Sequence, residues 1–331
     1  MGAVLSKIIH SEGNIMKHLL PQHGNLYKAN LHCHTTCSDG RFTPEEIKAM
    51  YMEKGYSVVA FTDHGRAYPQ SHLTDENFLA LIGLEVGLGE YRKGDWRYNI
   101  RKNCDIGLIS SDPEFRGTMG HEKYDGRYSP EVVNDIMRTY RNAGFFVTHN
   151  HPAWSLERYE DYKHYKYMHA TEIVNYGSYA SGFSEHNEHV YDDMLMDGRR
   201  IFCLATDDNH NREGRPDSFG AYTMIKAEKL DYQSIMEALF AGNFYATEGP
   251  EIKELYVDDD KVLHVVTSPA ARISINTPTK MRGFINSFDG EPVTELSWQL
   301  QSKCSYIRVV VTDEHGKNAY SNAYFLDDIL L

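Results

Sequence analysis

The chain has 331 residues, 41% of them hydrophobic and 24% charged, the make-up of a folded globular protein with enough apolar side chains for a large core. Its 34 Lys and Arg stand against 47 Asp and Glu, and a net charge of -13 repels nucleic-acid backbones and anionic membrane surfaces, which disfavours duplex nucleic acid or a bilayer as partner. Five cysteines (Cys33, Cys37, Cys104, Cys203 and Cys304), without a Cys-x-x-Cys pair, argue against a disulfide framework or a zinc ribbon and fit a reducing compartment.

In chain order, the first twenty residues hold neither an unbroken apolar run nor a small-residue cleavage site, and a cytoplasmic protein is expected. From Leu26 to about Gly249, short apolar runs alternate with amphipathic stretches, the pattern of βαβ units around a parallel sheet. Strands are expected at 26–31, 57–61, 79–84, 145–148, 172–175 and 200–205, with "NFYAT" as a seventh. Thr43-Pro44-x-Glu46 reads as a capping box opening a helix, and Ser129-Pro130-Glu131 opens another that Gly144 ends. Residues 87–128, rich in Gly, Asp and Arg, break the rhythm and read as a functional loop or lid. Beyond "GNFYATEGPEI" the period changes to two, with turn residues between the runs. The expected division is therefore 1–250 as an α/β unit and 251–331 as a small all-β appendage.

Placed on this strand map, the acidic residues and histidines gather at strand ends. The first strand ends in His32-x-His34, the second in Thr62-Asp63-His64, the third in Glu85, a later one in His149-Asn150-His151-Pro152 and the last in Asp207-Asp208-Asn209-His210. In a parallel barrel all of these ends emerge on one face. Alternate residues of a strand share a side, so His32 and His34 can both face the mouth, and Asp39 in the Ser-Asp-Gly turn can fold back over them. Imidazoles mixed with carboxylates suit zinc, manganese or iron with open positions, and the number of donors suits a binuclear site.

His-x-His, the following Asp, Thr-Asp-His, Gly-Leu-Glu, His-Pro and Asp-x-His, in that order, resemble the polymerase and histidinol phosphatase (PHP) superfamily of metal-dependent phosphoesterases over roughly residues 26–249. "ATDDNH", "FYATEGPEI" and "YIRVVVTDEHGKNAYSNAYFL" look like its CehA/McbA branch. The resemblance implies a distorted (β/α)7 barrel, with metal on His32, His34, Asp39, His64, Glu85, His151, Asp208 and His210. Many members carry one more histidine before a Gly-Leu; "KNCDIGL" offers Asn103 and Cys104 there, which weighs against a third metal and leaves Cys104 or His121 as substitutes.

Three further residues complete the expected catalytic set. Asp63 is read as an acceptor that orients an imidazole or handles protons, His149 as a wall of the site, and Arg41, with Arg66 and Arg127, as a phosphate contact. The function expected is hydrolysis of a small phosphorylated substrate by water activated on two divalent ions. A carbamate, carboxylic ester or amide hydrolase is the nearest alternative, and a non-catalytic metal-binding module with a ligand-binding β domain the third.

Overall fold

The computed structural model describes residues 7–9, 15–91 and 100–330. Two short strands, β1 (Lys7–Ile9) and β2 (Ile15–His18), pair antiparallel at the start. There follow β3 (Asn25–Asn30), α1 (Pro44–Glu53), β4 (Val58–Phe61), β5 (Leu79–Tyr91), β6 (Ile100–Ser110), α2 (Pro130–Asn142) and β7 (Phe145–Asn150). The chain continues through α3 (Tyr159–Tyr162), β8 (Ala170–Asn175), α4 (Tyr176–Ala180), α5 (Glu188–Met196), β9 (Phe202–Thr206), β10 (Tyr222–Ala227), α6 (Tyr232–Ala241) and β11 (Phe244–Thr247). The remainder is mostly strand: β12 (Ile252–Val257), β13 (Val262–Ala270), β14 (Arg272–Asn276), β15 (Gly283–Asn286), β16 (Val293–Gln299), β17 (Tyr306–Thr312), β18 (Asn318–Ser321) and β19 (Tyr324–Phe325), before a last turn, α7 (Leu326–Ile329).

The fold is mixed α/β, with one large sheet and a separate all-β sheet. The large sheet runs β15-β14-β17-β18-β11-β10-β3-β4-β5-β6-β7-β8-β9, and the second runs β1-β2-β12-β13-β16. β3, β4 and β5 are mutually parallel, as are β7, β8 and β9. The centre of each set is buried on both faces, which explains continuous apolar runs such as "VVAF" rather than alternation. Helix α1 starts as its capping box dictates: Glu46 N–H donates to Thr43 Oγ1 at 3.3 Å and Thr43 N–H to Glu46 Oε2 at 2.8 Å. Helix α2 buries Val133, Ile136, Met137 and Tyr140 against β6 and β7.

Two expectations are corrected. Residues 87–128 are not one long loop: 87–91 and 100–110 belong to β5 and β6, an antiparallel hairpin that pairs Gly83 with Ile109 and runs out to Tyr91 and Ile100, while 111–128 is irregular apart from a short turn at His121–Tyr124. Its glycines (Gly83, Gly87, Gly89 and Gly107) hid it from a reading based on apolar period, and residues 92–99 lie outside those described. Nor does the sheet close into a (β/α)7 barrel. β6 runs antiparallel to both neighbours, and beyond β9 the chain meets the β3 end through an isolated bridge, Cys33 with Asn209, rather than through a ladder. Beyond residue 250, β14, β15, β17 and β18 extend the large sheet from β11, while β12, β13 and β16 make the second sheet with β1 and β2. No helix among the described residues is long and apolar enough to cross a membrane.

Candidate metal centre

The C-terminal ends of β3, β4, β7 and β9 and the middle of β5 converge on one buried cluster. His32 and His34 follow β3, and their Nε2 atoms lie 3.0 Å apart. Glu85 sits between them and two further imidazoles: Oε1 is 3.2 Å from His32 Nε2 and 3.2 Å from His151 Nε2, while Oε2 is 3.4 Å from His34 Nε2 and 3.2 Å from His64 Nδ1. Asp208 Oδ1 lies 3.2 Å from His32 Nε2 and 3.1 Å from His34 Nε2. Toward solvent, Asp39 Oδ1 is 3.3 Å from His210 Nε2 and 3.6 Å from His64 Nε2. The eight residues expected as ligands thus meet around one point, and the ring centroids of His34 and His210 are 4.1 Å apart.

Local backbone geometry aims these groups. Gly40, closing the Ser-Asp-Gly turn, passes so close to His34 that a Cβ would stand 2.4 Å from its carbonyl oxygen. His151 and Asp208 have φ of +29° and +51°, conformations rare for residues with side chains and common where a site over-determines the backbone. Both left-handed residues sit just past a strand end. Of each neighbouring pair, one faces the cluster and the other is engaged elsewhere. Asp207 accepts from Tyr51 Oη and from the N–H groups of Phe219, Gly220 and Ala221. His149 turns to the outer face, where its Nε2 is 2.5 Å from Glu157 Oε2 and Cys104 joins the group.

Asp63 is buried against the turn rather than the cluster. It accepts from Thr35 N–H and Ser38 Oγ on Oδ1 (2.8 and 2.7 Å) and from Thr35 Oγ1 on Oδ2 (2.8 Å), which fixes the segment carrying Asp39. Arg41 is exposed and stacks on Phe42, 5.5 Å from the ring centroid, away from the cleft. His121 bonds Tyr140 Oη at 2.8 Å.

Two positions in or against the cluster escaped the sequence reading. Asp105, one residue past Cys104, points inward from β6, its Oδ2 3.8 Å from His151 Nε2. The register explains it: Asp105 pairs with Gly87, whose missing side chain leaves the space that Asp105 fills. Glu172, on β8, accepts from His32 Nδ1 at 2.8 Å, Thr206 Oγ1 at 2.6 Å, His151 N–H at 2.8 Å and Asn175 Nδ2 at 2.8 Å. That is the carboxylate–imidazole arrangement that orients a ligating histidine. Ser155 Oγ, 3.1 Å from His151 Nδ1, holds the second imidazole.

The electrostatics are those of a donor set gathered for a cation. Burial opposes charge on His151, yet Glu85, Asp208 and Asp105 hold its pKa up at about 10. Burial, then Glu85 beside it, pushes Asp105 up to about 8. Burial drives His34 down to about 4 despite Asp208. Buried imidazoles and carboxylates in mutual contact resist any single protonation pattern, and a divalent ion resolves the conflict. His34 Nδ1 is buried without a hydrogen-bond partner, and Asp208 Oδ1 makes no well-directed hydrogen bond although two imidazole nitrogens lie within 3.2 Å, as expected of atoms placed for something other than each other. The donor set therefore fits metal. A cleft of about 240 Å³ opens above it, lined by Trp154, Ser181, Arg212, Arg215 and Asp217 beside the ligands. Arg212 is paired with Asp39.

Fold and cluster together define a mixed α/β protein with a candidate polynuclear metal centre at the strand ends. The chain is similar in structure, as in motif, to PHP-like metal-dependent phosphoesterases. One is a two-domain protein from Bacteroides vulgatus, described by prediction as containing such an enzyme: 14% identity over 93% of this chain and 98% of that one, with a TM-score of 0.46. A second, from Bifidobacterium adolescentis and likewise described by prediction as a metal-dependent phosphoesterase, gives 13% identity over 66% and 98%, with a TM-score of 0.41. A third, an amidohydrolase from Chromobacterium violaceum with bound sulfate, gives 13% identity over 56% and 89%, with a TM-score of 0.36. No family model matches the chain, and no curated protein matches it.

Proposed function

We propose that the chain is a metal-dependent hydrolase acting as a phosphoesterase on a small substrate. The observation that carries this reading is Glu85, one buried carboxylate within 3.4 Å of four imidazoles from three separate segments. His32, His34, Glu85 and Asp208 would hold one divalent ion, and Glu85, His151 and Asp105 a second, with zinc, manganese or iron suited to the mixed donors. Asp39, His64 and His210 offer a third place on the solvent side. Ions bound there would supply Lewis acidity and acidify water at neutral pH. The chain's own groups do the rest: Glu172 and Ser155 orient imidazoles, Asp63 fixes the Asp39 turn, and Arg215 offers a guanidinium to an anion entering the cleft. The 1–250 unit would carry the chemistry and the 251–331 segment would be its appendage.

Phosphate release from monoesters and diesters is measured after stripping the protein with chelator and restoring Mn, Zn or Fe. Activity that vanishes on stripping and returns on restoration is the expected result. A second reading, hydrolysis of a carbamate, carboxylic ester or amide, is favoured by the pairing of Arg212 with Asp39, which leaves less positive charge for a phosphate. Turnover of aryl esters or carbamates with no phosphate release would establish that reading instead.

A further inference from the structure

On the face of β6 and β7 turned away from the strand-end centre, three donors of different kinds meet. Cys104 comes from β6, His149 from β7 and Glu157 from the segment after β7, and one ligand atom of each lies within 4.8 Å of the others. All three side chains are fully buried, against the apolar layer that holds Tyr140, Tyr162 and Tyr165. The hydrogen bonds around this group leave it short of positive charge. The Thr171 hydroxyl donates to the His149 carbonyl at 3.2 Å, and its oxygen, 3.3 Å from His149 Nδ1, accepts the ring N–H. Nε2 of a neutral imidazole then presents a lone pair to Glu157 Oε2, 2.5 Å away, while Tyr165 Oη donates to the other carboxylate oxygen. Among the described residues no lysine or arginine pairs with Glu157; Lys102, on the same strand as Cys104, pairs with Glu90 and Asp161 instead. A carboxylate and an imidazole that face each other in an apolar layer need a cation between them.

We propose that Cys104, His149 and Glu157 form a structural zinc site, separate from the centre at the strand ends. A proton on Nε2 would supply a cation but give the thiol no part in the group, whereas zinc uses all three donors. A thiolate beside an imidazole and a carboxylate suits zinc and does not suit magnesium or calcium, which take oxygen donors. Charge closes as well: the thiol proton leaves as the ion binds, and one thiolate and one carboxylate then cancel the two charges of the ion. Thr171 and Tyr165, already bonded to His149 and Glu157, would hold those two ligands in orientation. The site stands back to back with the other centre. Asp105 follows Cys104 and His151 lies two residues past His149, both facing the opposite way, and Glu157 ends the segment that carries Trp154. Zinc there would pin β6, β7 and that segment together behind the candidate donors. Full burial would also protect it from chelators that reach the other centre, where the His64 side chain is 43% exposed.

The test uses the full chain, produced once in cobalt-supplemented and once in zinc-supplemented medium. Thiolate bound to cobalt(II) gives a near-ultraviolet charge-transfer band that imidazole and carboxylate ligands do not give, so the band reports this site and not the other. The cobalt-grown wild type is expected to show the band, Cys37→Ser to keep it and Cys104→Ser to lose it. The zinc-grown wild type is expected to retain one zinc per chain after treatment with chelator under native conditions, and Cys104→Ser none. Should Cys104→Ser fail to fold, Cys37→Ser carries the assignment, because among the described residues Cys104 is the one cysteine grouped with other metal-type donors. Absence of the band from the wild type, its survival in Cys104→Ser, its loss in Cys37→Ser, or a wild type that chelator strips of all zinc would overturn the site and leave a hydrogen-bonded His149–Glu157 pair in its place. None of these readouts depends on the reaction carried by the other centre.

Discussion

Glu172 gives the sharpest test of how the centre is held. Its two oxygens accept four donors: His32 Nδ1 and Thr206 Oγ1 on Oε1, His151 N–H and Asn175 Nδ2 on Oε2. Glu172→Gln keeps the shape but turns one acceptor oxygen into an NH2 group. With the NH2 on the Oε2 side, His151 N–H and Asn175 Nδ2 both face hydrogens; on the Oε1 side His32 Nδ1 does, while the Thr206 hydroxyl can turn to accept. With Glu172 buried, water does not relieve the remaining conflict easily. One or two lost charge-assisted bonds at about 1.5 kcal/mol each come to about 1.5–3 kcal/mol. Spent on metal binding, that is roughly ten- to a hundredfold in affinity, the range that removal of an orienting carboxylate costs. The assay is competitive chelator titration of wild-type and variant, with metal content by elemental analysis and thermal melts of the stripped forms. The variant is expected to lose metal at roughly ten- to a hundredfold lower chelator strength. Equal metal retention and equal melting would show that the carboxylate neither orients His32 nor stabilises the fold.

Asp105→Asn should lower divalent-ion content and cut phosphate release at least tenfold, because it removes a carboxyl group 3.8 Å from His151 that a bound cation would draw into its ionised form; full loading with unchanged kcat would remove Asp105 from the donor set. Gly177→Ala places a Cβ 2.7 Å from the Asp208 carbonyl oxygen and 3.0 Å from that of Asp207, so the backbone that aims Asp208 must move. A loss of about 1–3 kcal/mol in stability is expected together with weaker metal binding, and an unchanged melt with unchanged metal content would contradict the reading. His169 is held neutral: burial, then Arg141, drives its pKa down to about 3, and Nδ1 accepts from Val147 N–H at 3.0 Å. The unfolded chain binds this proton at pH values where the folded chain does not, so the contribution is present above about pH 6.5 and is lost as pH falls toward 3. At pH 5 the loss amounts to at most about 2 kcal/mol, and less in proportion to the solvent that reaches this partly buried ring. Chemical denaturation of wild-type and His169→Gln at pH 7 and 5 checks it: the variant should show a smaller difference between the two pH values, and parallel pH profiles would refute the assignment.

The convergence of the candidate donors was more legible in the sequence than the fold that presents them. Donors that cluster at apolar run ends announce themselves, because a strand must be apolar where it is buried and polar where it emerges. His32, His34, His64, His151, Asp208 and His210 all stand at such ends. Asp105 does not, being within β6 in a stretch whose glycines and charges mask the strand. Only pairing with β5 reveals its side, and pairing partners far apart in sequence leave no periodic trace. The same blindness hid the open sheet edge. A run of parallel strands implies closure only if every crossover is helical, and the hairpin between β5 and β6 substitutes an antiparallel step. Glu172 was legible as a strand residue but not as an orienting group, since its role depends on four donors spread from residue 32 to residue 206.

Three pairs of nearby polar residues show how the fold chooses which one faces the cluster. On β6 simple alternation suffices: Cys104 faces the outer apolar layer and Asp105 the cluster. On β7 alternation would choose wrongly. Asn150 already faces inward, donating to Glu85 Oε1 at 2.8 Å, so His149 and a continued strand at His151 would both point outward. The left-handed turn at His151 reverses its direction and brings the imidazole in. After β9 the same device at Asp208 follows an Asp207 locked by four donors, so the carboxylate that reaches His32 and His34 is the one whose backbone is strained. Strain of this kind costs about 1–3 kcal/mol per residue and persists only where surrounding contacts over-determine it. Here Glu172 on His151 N–H and the close approach of Gly177 to Asp208 supply those contacts. The choice of candidate donor at both positions is thus made by the backbone and its immediate supports, which is why substitutions at Glu172 and Gly177, neither of them a proposed ligand, are expected to weaken metal binding.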